Sequence, residues 1–153
     1  MTLKLTEHQE VLLEKYGLLM ERFGLSPVAT RINALLTIVD KEAISFDEIS
    51  STLQISKSAT STALNVLISL GYVNFKTVLG DRKRYFYAET ESWKIRMGKS
   101  FEVLLELAEV LNEIANCKSD KDLTQKKDVI AYSNFLTELG NCSIRSLQDT
   151  NVE

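Results

Sequence analysis

The feature that most limits how this chain can fold is a change of apolar period at Gly71. Before it, hydrophobic residues recur at the 3.6-residue spacing of helices; after it, they alternate. Upstream, Ser45-Phe46-Asp47-Glu48 has the spacing of a capping box and opens a short helix with Phe46, Ile49 and Leu53 on its inner face. Gln54-Ile55 forms a turn, and Ser56 caps a further helix that runs to Leu70. Two helices joined so tightly make a helix-turn-helix. Downstream, Tyr72 to Val78 alternates through Val73, Phe75 and Thr77, and Lys83 to Ala88 alternates again through Tyr85 and Tyr87. Leu79-Gly80-Asp81-Arg82 supplies turn chemistry between them, so the segment reads as a β-hairpin. A hairpin directly after a helix-turn-helix is a winged helix.

The flanks read as helical. Thr6 with Gln9 is another capping box, followed by Leu12, Tyr16, Leu19, Met20 and Phe23 as the expected inner stripe and Gly24 as a stop. Ser26-Pro27 restarts the chain, and Val28, Ile32, Leu35, Leu36 and Val39 form one apolar face. Thr90 caps a long helix over about 91–116, and a second is expected over 121–139 with Leu123, Ile130, Leu136 and Leu139 inward. Gly140-Asn141 is expected to end it. The expected fold is therefore mostly α with a small β-wing, in three parts. These are a winged helix-turn-helix with an N-terminal helix (1–90), helices suited to dimerisation (91–140) and a polar tail (141–153).

Composition excludes several classes. No stretch approaches the roughly 18–20 apolar residues of a membrane span, and the N-terminus lacks the apolar middle of a signal peptide, so the expected location is the cytoplasm. With 2 Cys and 1 His, neither a disulfide scaffold nor a compact zinc site is expected. The net charge of −3 conceals a basic segment. Residues 56–88 carry Lys57, Lys76, Arg82, Lys83 and Arg84 against Asp81 alone. A local patch of this kind, rather than the total, indicates affinity for nucleic acid.

The helix after Ser56 has two distinct faces. Thr60, Ala63, Leu64, Leu67 and Leu70 must pack inward, whereas Lys57, Ser58, Ser61, Thr62 and Asn65 face out with no acid among them. Short hydrogen-bonding side chains allow close approach to a duplex, hydroxyls to phosphates and Asn65 to an adenine edge. A merely solvated face would usually mix Glu with Lys. At the hairpin tip, Arg82, Lys83 and Arg84 suit an adjacent minor groove, with Asp81 able to orient Arg82. The expected DNA-binding set is Ser56, Lys57, Ser58, Ser61, Thr62, Asn65, Arg82, Lys83 and Arg84.

These residues carry a family resemblance. Tyr16-Gly17-Leu18-Leu19-Met20-Glu21-Arg22-Phe23-Gly24-Leu25-Ser26-Pro27 with Arg31-Ile32 resembles the GbsR branch of the MarR superfamily of bacterial winged-helix transcriptional regulators. So do Ser56-Lys57-Ser58-Ala59-Thr60-Ser61, Leu70-Gly71-Tyr72-Val73 and Gly80-Asp81-Arg82-Lys83-Arg84-Tyr85. The resemblance covers roughly residues 10–95. It implies a homodimeric regulator, a repressor or activator, that binds a pseudo-palindromic operator in double-stranded DNA. It also implies terminal helices that dimerise and a small-molecule effector as a further partner.

The remaining candidates lie mostly in the C-terminal part. Met97, Phe101, Leu104, Leu105, Ala108 and Leu111 form a stripe longer than a winged domain needs for its own core, and are the expected dimerisation residues. Tyr16, Trp93, Phe101 and Tyr132 are candidates for an aromatic effector pocket that would suit a quaternary ammonium, although ordinary core packing explains the same rings. Glu102, Glu106, Glu109 and Glu113 lack a His or Cys partner and read as a solvated face rather than a metal site. Cys117 and Cys142 have no local partner, so thiol sensing is not expected. No catalytic constellation and no phosphate-cradling loop is present, so neither an enzyme nor a cofactor is expected. The rival reading is a winged helix used as a protein-interaction module without specific DNA binding.

Overall fold

The computed structural model describes residues 2–118 and 123–150. It divides into two units, the first ending at Trp93 and the second beginning at Lys94.

The first four helices each start on the cap their sequence announces, whereas the expected cap Thr90 lies three residues before the helix that begins at Trp93. Helix α1 (Glu7–Glu21) follows Thr6, whose hydroxyl accepts from the Gln9 amide at 3.2 Å while the Gln9 side chain accepts from the Thr6 amide at 2.9 Å. Helix α2 (Pro27–Ile38) has Ser26 as N-cap and Pro27 at its first position, where a missing N–H costs nothing. Strand β1 is Ile44–Ser45, and α3 (Phe46–Leu53) starts from the Ser45–Glu48 capping box. Gln54 turns the chain in the left-handed region at φ 53°, and Ser56 caps α4 (Lys57–Ser69). Strands β2 (Val73–Thr77) and β3 (Arg84–Ala88) complete the wing.

The core is built around α2, which touches α1, α3, α4 and β3. Ile32, Ala34 and Leu35 are fully buried, as are Ile44, Ile49 and Leu67 from the elements around it. Each large aliphatic side chain so placed contributes about 1.5–3 kcal/mol through loss of apolar surface from water. The sheet order is β1-β3-β2, all antiparallel, with Ile44 opposite Phe86, Ser45 opposite Tyr85, and Phe75 opposite Phe86. The third strand was not expected from sequence.

The inner face of α1 is rotated by one residue from the sequence expectation. Leu13 and Gly17 are buried, with Tyr16 and Met20 packed on the core, while Leu12, Leu19 and Phe23 are 40%, 49% and 79% exposed. Two polar contacts between α1 and α2 accompany this rotation. The Arg31 guanidinium donates to both carboxylate oxygens of Glu14 at 3.0 Å, and the Asn33 amide donates to the Tyr16 hydroxyl at 3.0 Å. One residue of slip turns a helix by about 100° and would break both bonds.

The second unit is an antiparallel pair, α5 (Trp93–Cys117) and α6 (Leu123–Asp149). Its register is read from paired contacts. Ser133 donates to the Ala108 carbonyl at 2.7 Å, and the Lys94 ammonium donates to the Thr150 carbonyl at 2.9 Å. Gly140 does not stop the helix as expected, and residues 141–149 are helical rather than a tail. A side chain at Gly140 would meet Leu105 Cδ2 at 2.7 Å, so glycine is there for close helix approach, and the helix continues past it. Leu136 is buried as expected, but Leu123, Ile130 and Leu139 are 51%, 36% and 39% exposed. The buried line of α6 is instead Ser133, Leu136 and Gly140. Among the described residues, no helix is long and apolar enough to cross a membrane.

Candidate nucleic-acid interface

Helix α4 presents two faces with opposite chemistry. Thr60, Ala63, Leu64 and Leu67 are buried, and Ser56, Lys57, Ser58, Ser61, Thr62 and Asn65 are all exposed. The Ser56 hydroxyl is committed to the Ala59 amide at 3.2 Å, so it caps the helix. Ser58, Ser61, Thr62 and Asn65 retain side-chain hydrogen-bonding capacity toward solvent. The Lys57 ammonium lies 3.9 Å from Asp47, a loose pair between exposed groups that a phosphate can replace at little cost.

The wing supplies the second part. Val78 to Asp81 is a tight turn closed by the Asp81 amide on the Val78 carbonyl at 3.0 Å, with Gly80 at φ 85°. Positive φ at the third residue is the requirement of a type II turn. Leu79 stands at the apex with 104% relative exposure. Arg82, Lys83 and Arg84 are exposed behind it. Asp81 does not hold the Arg82 guanidinium as expected. Its carboxylate accepts instead from the Tyr85 hydroxyl at 2.7 Å and the Lys83 amide at 2.9 Å, and these two bonds keep it below the ordinary carboxylate range.

Arg84 is oriented by stacking, its guanidinium carbon 4.6 Å from the centre of the Phe75 ring. The register places Arg84 opposite Thr77, so Phe75 is its diagonal neighbour, a distance that a long side chain and a ring can span. Arg82 and Arg84 line one cleft of about 290 Å³ together with Ser61 and Asn65 of α4, over a floor that includes Phe46 and Phe86. The fold thus brings helix and wing residues, up to 23 positions apart in sequence, to a single basic and uncharged surface. Sequence reasoning missed Phe75 and Tyr85 as supports for this surface. The cross-strand register, once set, is the signal that finds them.

The other candidates fare differently. Tyr16 is taken up by its bond to Asn33 and by packing on the first unit's core. Phe101 and Tyr132 both belong to the second unit, but the Ala108–Ser133 register leaves them about two turns apart, too far to be facing walls of one cage. Trp93 is 41% exposed at the start of α5. Of the expected dimerisation stripe, Ala108 is 3% exposed beneath α6, Leu105 packs on Gly140, and Phe101, Leu104 and Leu111 are half-buried. Only Met97, at 42%, is well exposed. The hairpin uses that stripe for its own seam, leaving Val103, Leu107, Val110 and Ile114 as the outward apolar row, 40–60% exposed. Glu102, Glu106, Glu109 and Glu113 are exposed beside it, and among the described residues no three metal-ligating groups converge. Cys117 and Cys142 are free and exposed.

A helix-turn-helix whose second helix shows a polar face beside a basic three-stranded wing defines a winged-helix protein. Comparison with known proteins narrows this. Residues 23–84 match the MarR family. HTH-type transcriptional regulator MmpR5 of Mycobacterium tuberculosis is 28% identical over 144 residues, spanning 89% of this chain and 87% of that protein. A crystal structure of a transcriptional regulator superposes with a TM-score of 0.73 at 21% identity, covering 94% of this chain and 98% of that one. The chain is thus similar to the MarR family across its winged helix and to MmpR5 over most of its length.

Proposed function

We propose that this chain is a sequence-specific, homodimeric regulator of transcription, acting in the cytoplasm as a repressor whose hold on DNA responds to a small ligand. The coarser reading, a non-enzymatic DNA-binding transcriptional regulator, is supported by the MarR-family match and the MmpR5 relative. The motifs from Tyr16 to Ile32 and from Gly80 to Tyr85 favour the GbsR branch within that superfamily. One observation carries the DNA-binding reading: Ser61 and Asn65 of α4 line the same cleft as Arg82 and Arg84 of the wing. With α4 in the major groove, its outward hydroxyls meet phosphates, Asn65 reads a base edge, and Arg82 enters the neighbouring minor groove.

The dimer is proposed to form through the outward row Val103, Leu107, Val110 and Ile114, whose 4-3-4 spacing is that of a coiled-coil seam. Two copies related by a two-fold axis then address half-sites about 34–36 Å apart.

Titrations over a salt series, on a selected duplex and a scrambled one, test the assignment. Asn65→Ala is expected to lose about 1–3 kcal/mol per half-site on the selected duplex and little on the scrambled one. Arg82→Ala is expected to weaken both and to flatten the salt slope by about one unit per phosphate no longer engaged. Unchanged affinity for both duplexes in both variants would remove the DNA-binding face and favour a protein-interaction module.

A further inference from the structure

The wing tip is held in one shape by a side chain that makes no DNA contact in the proposed reading. After the Val78–Asp81 turn, the chain must return from the apex to β3, and the Asp81 carboxylate spans that return. One oxygen accepts from the Lys83 amide at 2.9 Å, closing an Asx-turn, and the other accepts from the Tyr85 hydroxyl at 2.7 Å. Tyr85 belongs to the sheet: it is half-buried in β3, opposite Lys76 of β2 and Ser45 of β1. Asp81 belongs to the tip. Their bond therefore ties a protruding turn to the rigid part of the domain, and Arg82 lies between the two anchors.

We propose that Tyr85 is a positioning residue for DNA recognition: through Asp81, its hydroxyl presets the wing tip so that Arg82 meets the groove in one pose. This rests on the reading of the wing as a DNA contact. An exposed arginine on a free turn must lose both loop and rotamer freedom on binding, whereas a tip already fixed loses only the latter. The latch also explains an acid in an otherwise basic tip. Both Asp81 oxygens are turned to donors within the tip, and these two bonds hold its pKa below the ordinary carboxylate range. The strand needs only the ring at position 85, so the hydroxyl is the part available for this task.

The experiment is a double-mutant cycle of Tyr85→Phe and Arg82→Ala in the full chain. Binding is measured to a duplex of about 30 bp, selected by the wild-type protein from a random-sequence library, at a temperature where circular dichroism shows every variant folded. Tyr85→Phe is expected to bind roughly three- to tenfold more weakly, the range for the net worth of one ordinary hydrogen bond at an exposed site. Combined with Arg82→Ala, it is expected to add no further loss. Binding by Tyr85→Phe equal to wild type, or losses that simply add, would overturn the latch while leaving the wing contact in place. No effect of Arg82→Ala would remove the wing contact itself and the latch with it.

Discussion

Glu48→Gln is expected to destabilise the winged-helix unit by about 2–3 kcal/mol at pH 7 and by almost nothing at pH 2. The Glu48 carboxylate accepts from the Ser45 amide and hydroxyl, both at 2.9 Å, and from the Lys41 ammonium at 2.9 Å. The Ser45 amide is the largest influence, with Lys41 also favouring the charged form, and together they outweigh desolvation and lower its pKa from 4.5 to about 2. Its side chain is 15% exposed and that of Lys41 is half exposed, so solvent screens the Lys41 share and the Ser45 amide carries most of the effect. A pKa depressed in the folded state contributes stability above the unfolded value and loses it as pH falls through the folded one. The contribution is therefore complete above about pH 5 and gone near pH 2, and the difference in pKa is worth about 3 kcal/mol. Gln retains the geometry of a capping box but not the charge. Denaturant unfolding across this pH range measures it: the stability of wild type is expected to fall more steeply with acid than that of Glu48→Gln, the two curves meeting at the acid end. Parallel curves would show that Glu48 is not the group titrating.

The same residues show where sequence was informative and where it was not. The Ser45–Glu48 box was legible because capping is local, requiring only two residue types three positions apart. Strand β1 was not, although it contains Ser45. An N-cap backbone is already extended, at φ −75° and ψ 160° here, so one residue caps a helix and pairs with Tyr85 without any added sequence signature. The two faces of α4 were legible because an acid-free polar row stands opposite an apolar one, except at Leu70, which was expected inward but lies 47% exposed at the helix's C-cap. The rotation of α1 was not, because adjacent Leu12 and Leu13 fit a helical apolar spacing equally well in sequence, and only packing on α2 distinguishes them. In the same way Asp81 was recognised as a turn residue, but its partner depends on the hairpin register, which brings the Tyr85 hydroxyl rather than the Arg82 guanidinium to its second oxygen. Gly140 carried a stop signal that tertiary packing overrides, since Leu105 occupies the space that any side chain there would need.

That packing determines how the proposed dimer can be broken without unfolding the helices. Aspartate at Leu104, half-buried on the α5–α6 seam side, would strand a charge inside the hairpin and is expected to reduce helical content. Leu107 and Val110 are different: at 40% and 51% exposure they lie on the outward row, where a single chain can solvate an introduced charge. Leu107→Asp combined with Val110→Asp is therefore expected to preserve the circular dichroism spectrum and give a monomer in light scattering. Each apolar side chain removed from the dimer seam costs about 1.5–3 kcal/mol per copy, and the new charges join the row of Glu102, Glu106, Glu109 and Glu113 beside it. On a duplex with two half-sites, affinity is expected to fall by about 10²–10⁴, because the second recognition helix no longer binds at the effective concentration set by its partner. On a single half-site it is expected to change little, since α4 and the wing are untouched. Salt separates the two effects. Raising it weakens phosphate contacts steeply but leaves an apolar seam intact, so wild type is expected to release DNA while remaining dimeric. A double variant that still scatters light as a dimer would locate the interface elsewhere, with the exposed Val11 and Leu18 of α1, and Phe23 in the turn after it, as the next residues to charge.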